Sequence, residues 1–335
     1  KAAEQGNTFA QNNLGAAYAN GRGVVRDDAE AIRWFRRAAD QGDPSAEYNL
    51  GFSYANGRGV AVDDAEAMKW FARAAEQGDV GAQYNVGLMY ASGRGVARDP
   101  VGALGWFRKA AEQGHAMAQY SLGVIYETGD GAPRDVAQAI AWFRKSAEQG
   151  NAAAQYNLGV IYSSGSGVAQ DDAEAVRWYR MAAEQDDPSG QRSLGFMYAT
   201  GRGVAQNYAE AAEWYRRAAE RGDASAQNSL AFMYANGQGV TRDLAEAAKR
   251  YGLAAEQGDA AAQYNLGVCY DTGQGVTQDR VRALLWYSLA AARFPPSDAE
   301  NRARAVRGRE LVSAKMSAAE VAEAEKLLAE WRPTR

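Results

Sequence analysis

Apolar residues in this chain recur at steps of three and four, the spacing of a helix that buries one face. Leu158, Ile161 and Tyr162 share one side of a segment over 152–164, and Ala139, Trp142, Phe143 and Ala147 share one side of another. A Gly-x-Gly loop such as Gly165-Ser-Gly167 follows each segment of the first kind, because glycine accepts the left-handed conformation that ends a helix. The pattern predicts two helices and a loop, and then the same again.

The cycle returns every 36 residues. A Gly-x-Gly-Val loop opens at Gly21, Gly57, Gly93, Gly129, Gly165, Gly201, Gly237 and Gly273, with Ala132 the one departure from valine. Self-similarity at a fixed period of about 20–50 residues predicts a solenoid in which each unit packs on its neighbours. The repeats fall at 7–42, 43–78, 79–114, 115–150, 151–186, 187–222, 223–258 and 259–294. Every second helix opens on a capping side chain: Asp27, Asp63, Asp99, Asp135, Asp171, Asn207, Asp243 or Asp279. Glu30, Glu66, Glu174, Glu210 and Glu246 stand three residues later, which predicts reciprocal capping boxes.

Ala-Ala-Glu-Gln-Gly closes a unit, and Asp186 in place of that glycine predicts a bent or strained junction after the fifth repeat. A tryptophan column (Trp34, Trp70, Trp106, Trp142, Trp178, Trp214, Trp286) is expected to form a rib of the core, with Arg250 interrupting it beside Tyr251. Small residues such as Ala31 and Ala38 let neighbouring helices approach.

The period stops after Arg293, where Pro295-Pro296 breaks the chain. Two further helices are predicted near 297–313 and 318–331, the second opened by a Ser317-x-x-Glu320 box. Their Val321, Leu327, Leu328 and Trp331 are expected to cover the eighth unit, so the chain divides into a solenoid over 1–294 and a cap over 295–335. At the other end, Lys1–Gly6 repeats the motif of Lys109–Gly114. That start is expected to be the last turn of a preceding unit, in a processed or truncated piece, which leaves localisation (cytoplasmic or exported) open.

Composition narrows the function. Hydrophobic residues at 47% can fill a core and exclude a disordered chain. Against 41 Asp and Glu stand 37 Lys and Arg, a net charge of −4 that gives no electrostatic footprint for nucleic acid or an anionic membrane. Helical-repeat RNA readers have similar periods but need positive charge. No run of 18 apolar residues spans a bilayer.

Catalysis needs convergent groups in a shielded place, and none converge here. The one histidine, His115, replaces Asp or Asn at the start of a repeat and reads as a turn residue. Cys269 falls in the core column of Ala17, Ser53, Met89 and Ile125, as an inert thiol without a disulfide partner. The acid pairs Asp27-Asp28, Asp63-Asp64 and Asp171-Asp172 are explained by capping and lack calcium-loop spacing. The Gly-x-Gly loops lack the rest of a nucleotide fingerprint. No metal, no cofactor and no enzymatic activity are expected. Arg22, Arg58, Arg94 and Arg202 form an edge interrupted by Asp130, Ser166, Gln238 and Gln274, expected to be a solvated rim.

The run Ala154-Gln155-x-x-Leu158-Gly159-x-x-Tyr162-x-x-Gly165-x-Gly167-Val168, followed by Asp171, Ala175, Trp178 and Ala182-Ala183, resembles the Sel-one-like repeat family, relatives of tetratricopeptide repeats. It recurs across 7–294, with lapses at Val86, Ala231 and Arg250. The resemblance implies an all-α, right-handed α–α superhelix whose first helices line a concave wall. It also implies adaptor and scaffold roles in bacterial signalling, envelope assembly and host interaction, or in eukaryotic membrane-protein degradation. A secreted branch carries a disulfide in each repeat, and Cys269 alone does not match it.

Carried over from tetratricopeptides, the concave face takes a first column of Asn12, Tyr48, Tyr84, Tyr120, Tyr156, Arg192, Asn228 and Tyr264. The second, one turn on, is Ala16, Phe52, Leu88, Val124, Val160, Phe196, Phe232 and Val268. A third adds Asn20, Asn56, Ser92, Thr128, Ser164, Thr200, Asn236 and Thr272. Together they imply a groove of rings with polar edges for a partner's peptide or helix, with about half the rings serving only to pack. Arg192 is placed to receive a carboxylate, while the Lys/Asn set of tetratricopeptides that grip a C-terminal carboxylate is absent. The near-constant column Asn13, Asn49, Asn85, Ser121, Asn157, Ser193, Ser229 and Asn265 is expected to hydrogen-bond between units.

Three readings stand. The first is a non-catalytic scaffold or adaptor holding a protein or peptide partner. The second is a regulatory subunit docking on an enzyme or envelope complex through the convex rim or the cap. The third is carbohydrate binding on the tyrosines. Oligomeric state stays open.

Overall fold

A computed structural model describes residues 1–334, in which the ordered elements are all helices. The described residues form two compact units, one comprising residues 1–158 and 166–168, the other 159–165 and 169–334. The first unit holds α1 (Thr8–Asn20), α2 (Asp28–Ala39), α3 (Pro44–Asn56), α4 (Asp64–Glu76), α5 (Val80–Ser92), α6 (Pro100–Glu112), α7 (Ala116–Thr128) and α8 (Val136–Glu148). The division falls inside α9 (Ala152–Ser164). The second unit holds α10 (Asp172–Glu184), α11 (Pro188–Thr200), α12 (Tyr208–Glu220), α13 (Ala224–Asn236), α14 (Leu244–Glu256), α15 (Ala260–Thr272) and α16 (Arg280–Arg293). It ends in α17 (Ala299–Ser313) and α18 (Ala318–Glu330). From α1 to α8, and again from α10 to α16, each helix packs on the next. Both units are therefore stacks of helix pairs, the local logic of an all-α solenoid.

Caps set the helix starts. Asp27, Asp63, Asp99, Asp135, Asp171, Asn207, Asp243 and Asp279 each accept a backbone N–H two or three residues on. The reciprocal half of the expected boxes does not form. Among the described residues it closes only at Ser317 and Glu320. Glu66 and Glu174 instead accept the indole N–H of Trp70 (3.1 Å) and Trp178 (2.9 Å), and Glu30 pairs with Arg33 (3.0 Å). These partners on the same helix take up carboxylate oxygens that a reciprocal cap would have used.

The core rib also differs from expectation. Trp34, Trp70 and Trp286 are buried, but Trp106, Trp142, Trp178 and Trp214 are only half-buried. Lysine or arginine stacks on several of them, as Lys109 does on Trp106 at 3.9 Å. The aromatic one position later is the fully enclosed one: Phe35, Phe71, Phe107, Phe143, Tyr179, Tyr215, Tyr251 and Tyr287 are all buried. Seven of these rings, all but Tyr251, press against the glycine of their first helix. At Gly123 an added Cβ would stand 2.4 Å from two carbons of the Phe143 ring, so the glycine is the socket for that ring.

The Gly-x-Gly loop is a joint between repeats. Gly95 has φ +67, and a Cβ there would meet the Asp64 carbonyl oxygen at 2.1 Å. The loop therefore rests on the first turn of the preceding second helix, backbone against backbone. Asp186, at the predicted irregular junction, is the one non-glycine residue with positive φ among those described (+66). Its carboxylate pairs with Arg221 at 2.6 Å.

A glutamine ladder ties successive repeats together. Gln119 donates to the Ala111 carbonyl at 3.1 Å and accepts from Gln149 at 2.7 Å. Glu47 takes the same rung in the second repeat, with no exposed side-chain surface. Burial pushes its carboxyl above the usual range, against the opposing pull of Arg73 at 2.7 Å and a hydrogen bond from Gln77.

At the far end α17 and α18 both pack on α16. Leu328 and Trp331 join an apolar cluster shared by the seventh and eighth repeats, and Val321 joins the cluster of Tyr287 and Val312. Leu327, expected to do the same, remains 37% exposed because it faces outward from α18.

Candidate functional site

The first helices project three polar and aromatic columns, and their burial separates the roles. The tyrosines lean inward and are half-buried: Tyr48 lies on Phe71 (5.6 Å between ring centroids), Tyr84 on Phe107, Tyr120 on Phe143 and Tyr264 on Tyr287. Tyr156 is half-buried as well. Tyr48, Tyr84, Tyr120 and Tyr264 thus wedge the enclosed aromatic of the second helix.

The second column stands out from the surface. In the first unit Phe52 and Leu88 are exposed by 38% and 39%; in the second, Phe196 and Phe232 are exposed by 45% and 51%. Val124, Val160 and Val268 lie between as shorter, half-buried members. Phe52, Leu88, Phe196 and Phe232 are among the largest apolar side chains left exposed on the helices.

Open recesses flank the projecting rings. In the first unit one of about 290 Å³ lies between Phe35, Tyr48 and Phe52, and one of about 210 Å³ lies between Phe52, Phe71 and Leu88. The second unit has one of about 250 Å³ at Arg192, Phe196 and Tyr215, and one of about 400 Å³ at Phe196, Tyr215 and Phe232. Knob and hollow thus alternate along each unit's first-helix face.

The polar edge is quieter than expected. Asn56, Ser92, Thr128, Thr200 and Thr272 hydrogen-bond the carbonyl four residues back, at 2.7–2.9 Å. Those carbonyls belong to the second-column residues Phe52, Leu88, Val124, Phe196 and Val268, so the polar side chains are turned back onto their own helices. In the inter-unit column, Asn49 donates to Asn12 (2.9 Å) and Asn265 to Asn228 (3.1 Å). Ser121 and Ser229 donate to carbonyls of their own helices and also hydrogen-bond Tyr84 and Tyr215 of the preceding repeats.

Arg192 has a partner within the fold, its Nε 3.2 Å from Asp223 Oδ2 without hydrogen-bond alignment. A ligand carboxylate there competes with Asp223, which already caps α13. The loop arginines are not simply a solvated rim. Arg94 grips Asp64 and Arg202 grips Asp172, both at 2.6 Å across a repeat joint. Sequence reading missed this, although an aspartate stands 30 residues before each of those arginines.

His115 is more than a turn residue: its Nδ1 accepts the Ala118 N–H at 3.2 Å, capping α7, and its ring lies 4.7 Å from Tyr84. Burial lowers its pKa. A depressed folded pKa means that the unfolded chain binds the proton more readily, so stability is full above the ordinary imidazole value and falls as the pH drops through the folded one. We expect the wild type to lose about 1 kcal/mol relative to His115→Asn between pH 7.5 and 5, the worth of a cap. Urea midpoints at the two pH values test this, and parallel behaviour of the two proteins contradicts it.

Burial pushes the Cys269 thiol up to about 11, so it is no nucleophile at neutral pH. Among the described residues no cluster of His, Cys, Asp or Glu could hold a metal ion, and no helix is long and apolar enough to cross a membrane.

The Sel1 repeat pattern matches residues 8–43, 44–79, 80–115, 116–151, 152–187, 188–223, 224–259 and 260–293. A Sel1 repeat protein from Oxalobacter formigenes is similar in structure, with TM-score 0.70 and 37% identity over 88% of this chain and 86% of that one. A protective antigen of uropathogenic Escherichia coli with an SLR fold is also similar, with TM-score 0.61 and 35% identity over 98% of this chain and 77% of that one. A comparison with curated proteins finds no match. Eight matched repeats, each spanning two successive helices from α1 to α16, place the chain in the Sel1 repeat family.

Proposed function

We propose that this chain is a non-catalytic scaffold that holds a peptide or helical segment of a partner protein on its first-helix faces. Sel1 repeat proteins are generally protein-interaction scaffolds. The observation that carries the reading here is the alternation of exposed Phe52, Leu88, Phe196 and Phe232 with open recesses. Rings of this kind supply contact area at low entropic cost, and hollows beside them accept side chains from the other side. The tyrosines Tyr48, Tyr84, Tyr120, Tyr156 and Tyr264 then act as the floor, presenting edges while they support the core.

Photo-crosslinking tests the reading. Benzoylphenylalanine in place of Phe196 should trap a discrete polypeptide in the cell that makes the protein. The same group in place of Met181, exposed on a second helix, should trap none. Adducts at 181 with none at 196 would sink the proposal. Docking through the C-terminal helices is the second reading, favoured by a recess of about 480 Å³ between Leu284, Arg309, Val321 and Leu328. Adducts from position 328 alone would select it.

A further inference from the structure

Three repeat joints of this chain set a loop arginine 30 residues after an aspartate at the start of the preceding second helix, and in two of the three the ion pair forms. Arg94 reaches Asp64 through both Nη2 (2.6 Å) and Nε (3.3 Å), and Arg202 reaches Asp172 in the same way (2.6 and 3.0 Å). The matching pair in the first joint is Arg58 and Asp28. There Arg26 takes Asp28 instead, with Nη2 at 2.7 Å and Nε at 3.2 Å. Position 26 decides this: its counterparts at the two closed joints are Val62 and Gln170, neither a cation.

Arg58 is left exposed, with no ion pair among the described residues, and its guanidinium carbon lies 5.7 Å from the centroid of Phe52. It borders the recess of about 290 Å³, whose other walls include Asp28, Phe35, Tyr48, Asn49 and Phe52; the Asp28 carboxylate there is held by Arg26 and also feels the charge of Arg58. An arginine beside an aromatic hollow matches an acidic side chain next to an apolar one, because the guanidinium takes both carboxylate oxygens while the neighbour fills the hollow. The face continues past Phe52 into the next recess, which suits a residue inside a segment.

We propose that the Arg58 recess is an anchoring subsite for an internal Asp or Glu of the partner segment, kept available because Arg26 occupies Asp28. This rests on the scaffold reading and adds the chemistry of one contact. It also predicts an indirect effect: without Arg26, Arg58 closes onto Asp28 as Arg94 closes onto Asp64.

The test is a titration of the full chain, labelled with ¹⁵N-arginine, using three small probes. N-acetyl-glutamyl-phenylalanine amide should shift the Arg58 Nε–H resonance, identified by its loss in Arg58→Ala. The glutaminyl analogue and N-acetylphenylalaninate should shift it at least tenfold less at equal concentration. Arg26→Ala should weaken the glutamyl probe at least tenfold, while Arg58→Ala leaves the melting temperature unchanged. Equal response to the glutaminyl probe, a preference for N-acetylphenylalaninate, or no effect of Arg26→Ala would each overturn the subsite. Adducts at 196 beside a silent Arg58 would retire this inference alone, and a responsive Arg58 without adducts at 196 would retire the wider reading instead.

Discussion

Gly95→Ala is expected to cost about 3 kcal/mol, although it adds one methyl group to an exposed loop. The left-handed backbone (φ +67) costs an L-residue about 1–2 kcal/mol. The new Cβ would also stand 2.1 Å from the Asp64 carbonyl oxygen and 2.5 Å from its carbon, atoms that belong to a helix and cannot rotate away. Forcing that joint apart adds about 1–3 kcal/mol, as overpacking does in cores. It also pulls Arg94 off Asp64. Gly78 is the control. Its φ is +93 but nothing lies within 4 Å of its would-be Cβ, so Gly78→Ala should show only the backbone term. Urea midpoints of the two variants measure the difference, and equal losses would mean that the loop does not bear on its neighbour.

Much of this architecture is legible in the residues. The period, the cap aspartates and the glycine loops are backbone requirements, and a backbone requirement shows as a residue type at a fixed position. What escaped reading depended on which of two adjacent side chains turns inward. Trp142 and Phe143 are neighbours on one helix, and only packing against Gly123 shows that phenylalanine is the enclosed ring. The tyrosine and phenylalanine columns posed the same difficulty one turn apart. Both are aromatic at helical spacing, yet Tyr48 leans on Phe71 while Phe52 stands clear. The glutamine ladder and the arginine clamps did leave a trace, as polar residues that recur 30 apart, but their meaning needs the geometry of the joint.

The second large effect is on binding. Phe196 and Phe232 keep about half of their surface in solvent, at 45% and 51%. Truncating both removes little burial from the fold, roughly 1 kcal/mol each at most. Helix content and melting temperature should stay close to the wild type. In a complex the same rings become buried, and central aromatic anchors are worth about 2 kcal/mol each or more when cut to alanine. Losing two adjacent ones should weaken the partner at least about 100-fold. Tyr120→Ala should behave in the opposite way, lowering stability through its contact with Phe143.

Calorimetric titration of the Phe196→Ala/Phe232→Ala double variant with the polypeptide trapped from position 196 is the decisive measurement. A folded protein whose affinity has dropped by two orders of magnitude or more is the predicted outcome. A folded protein that binds as tightly as the wild type would show that these rings are not where the partner is held.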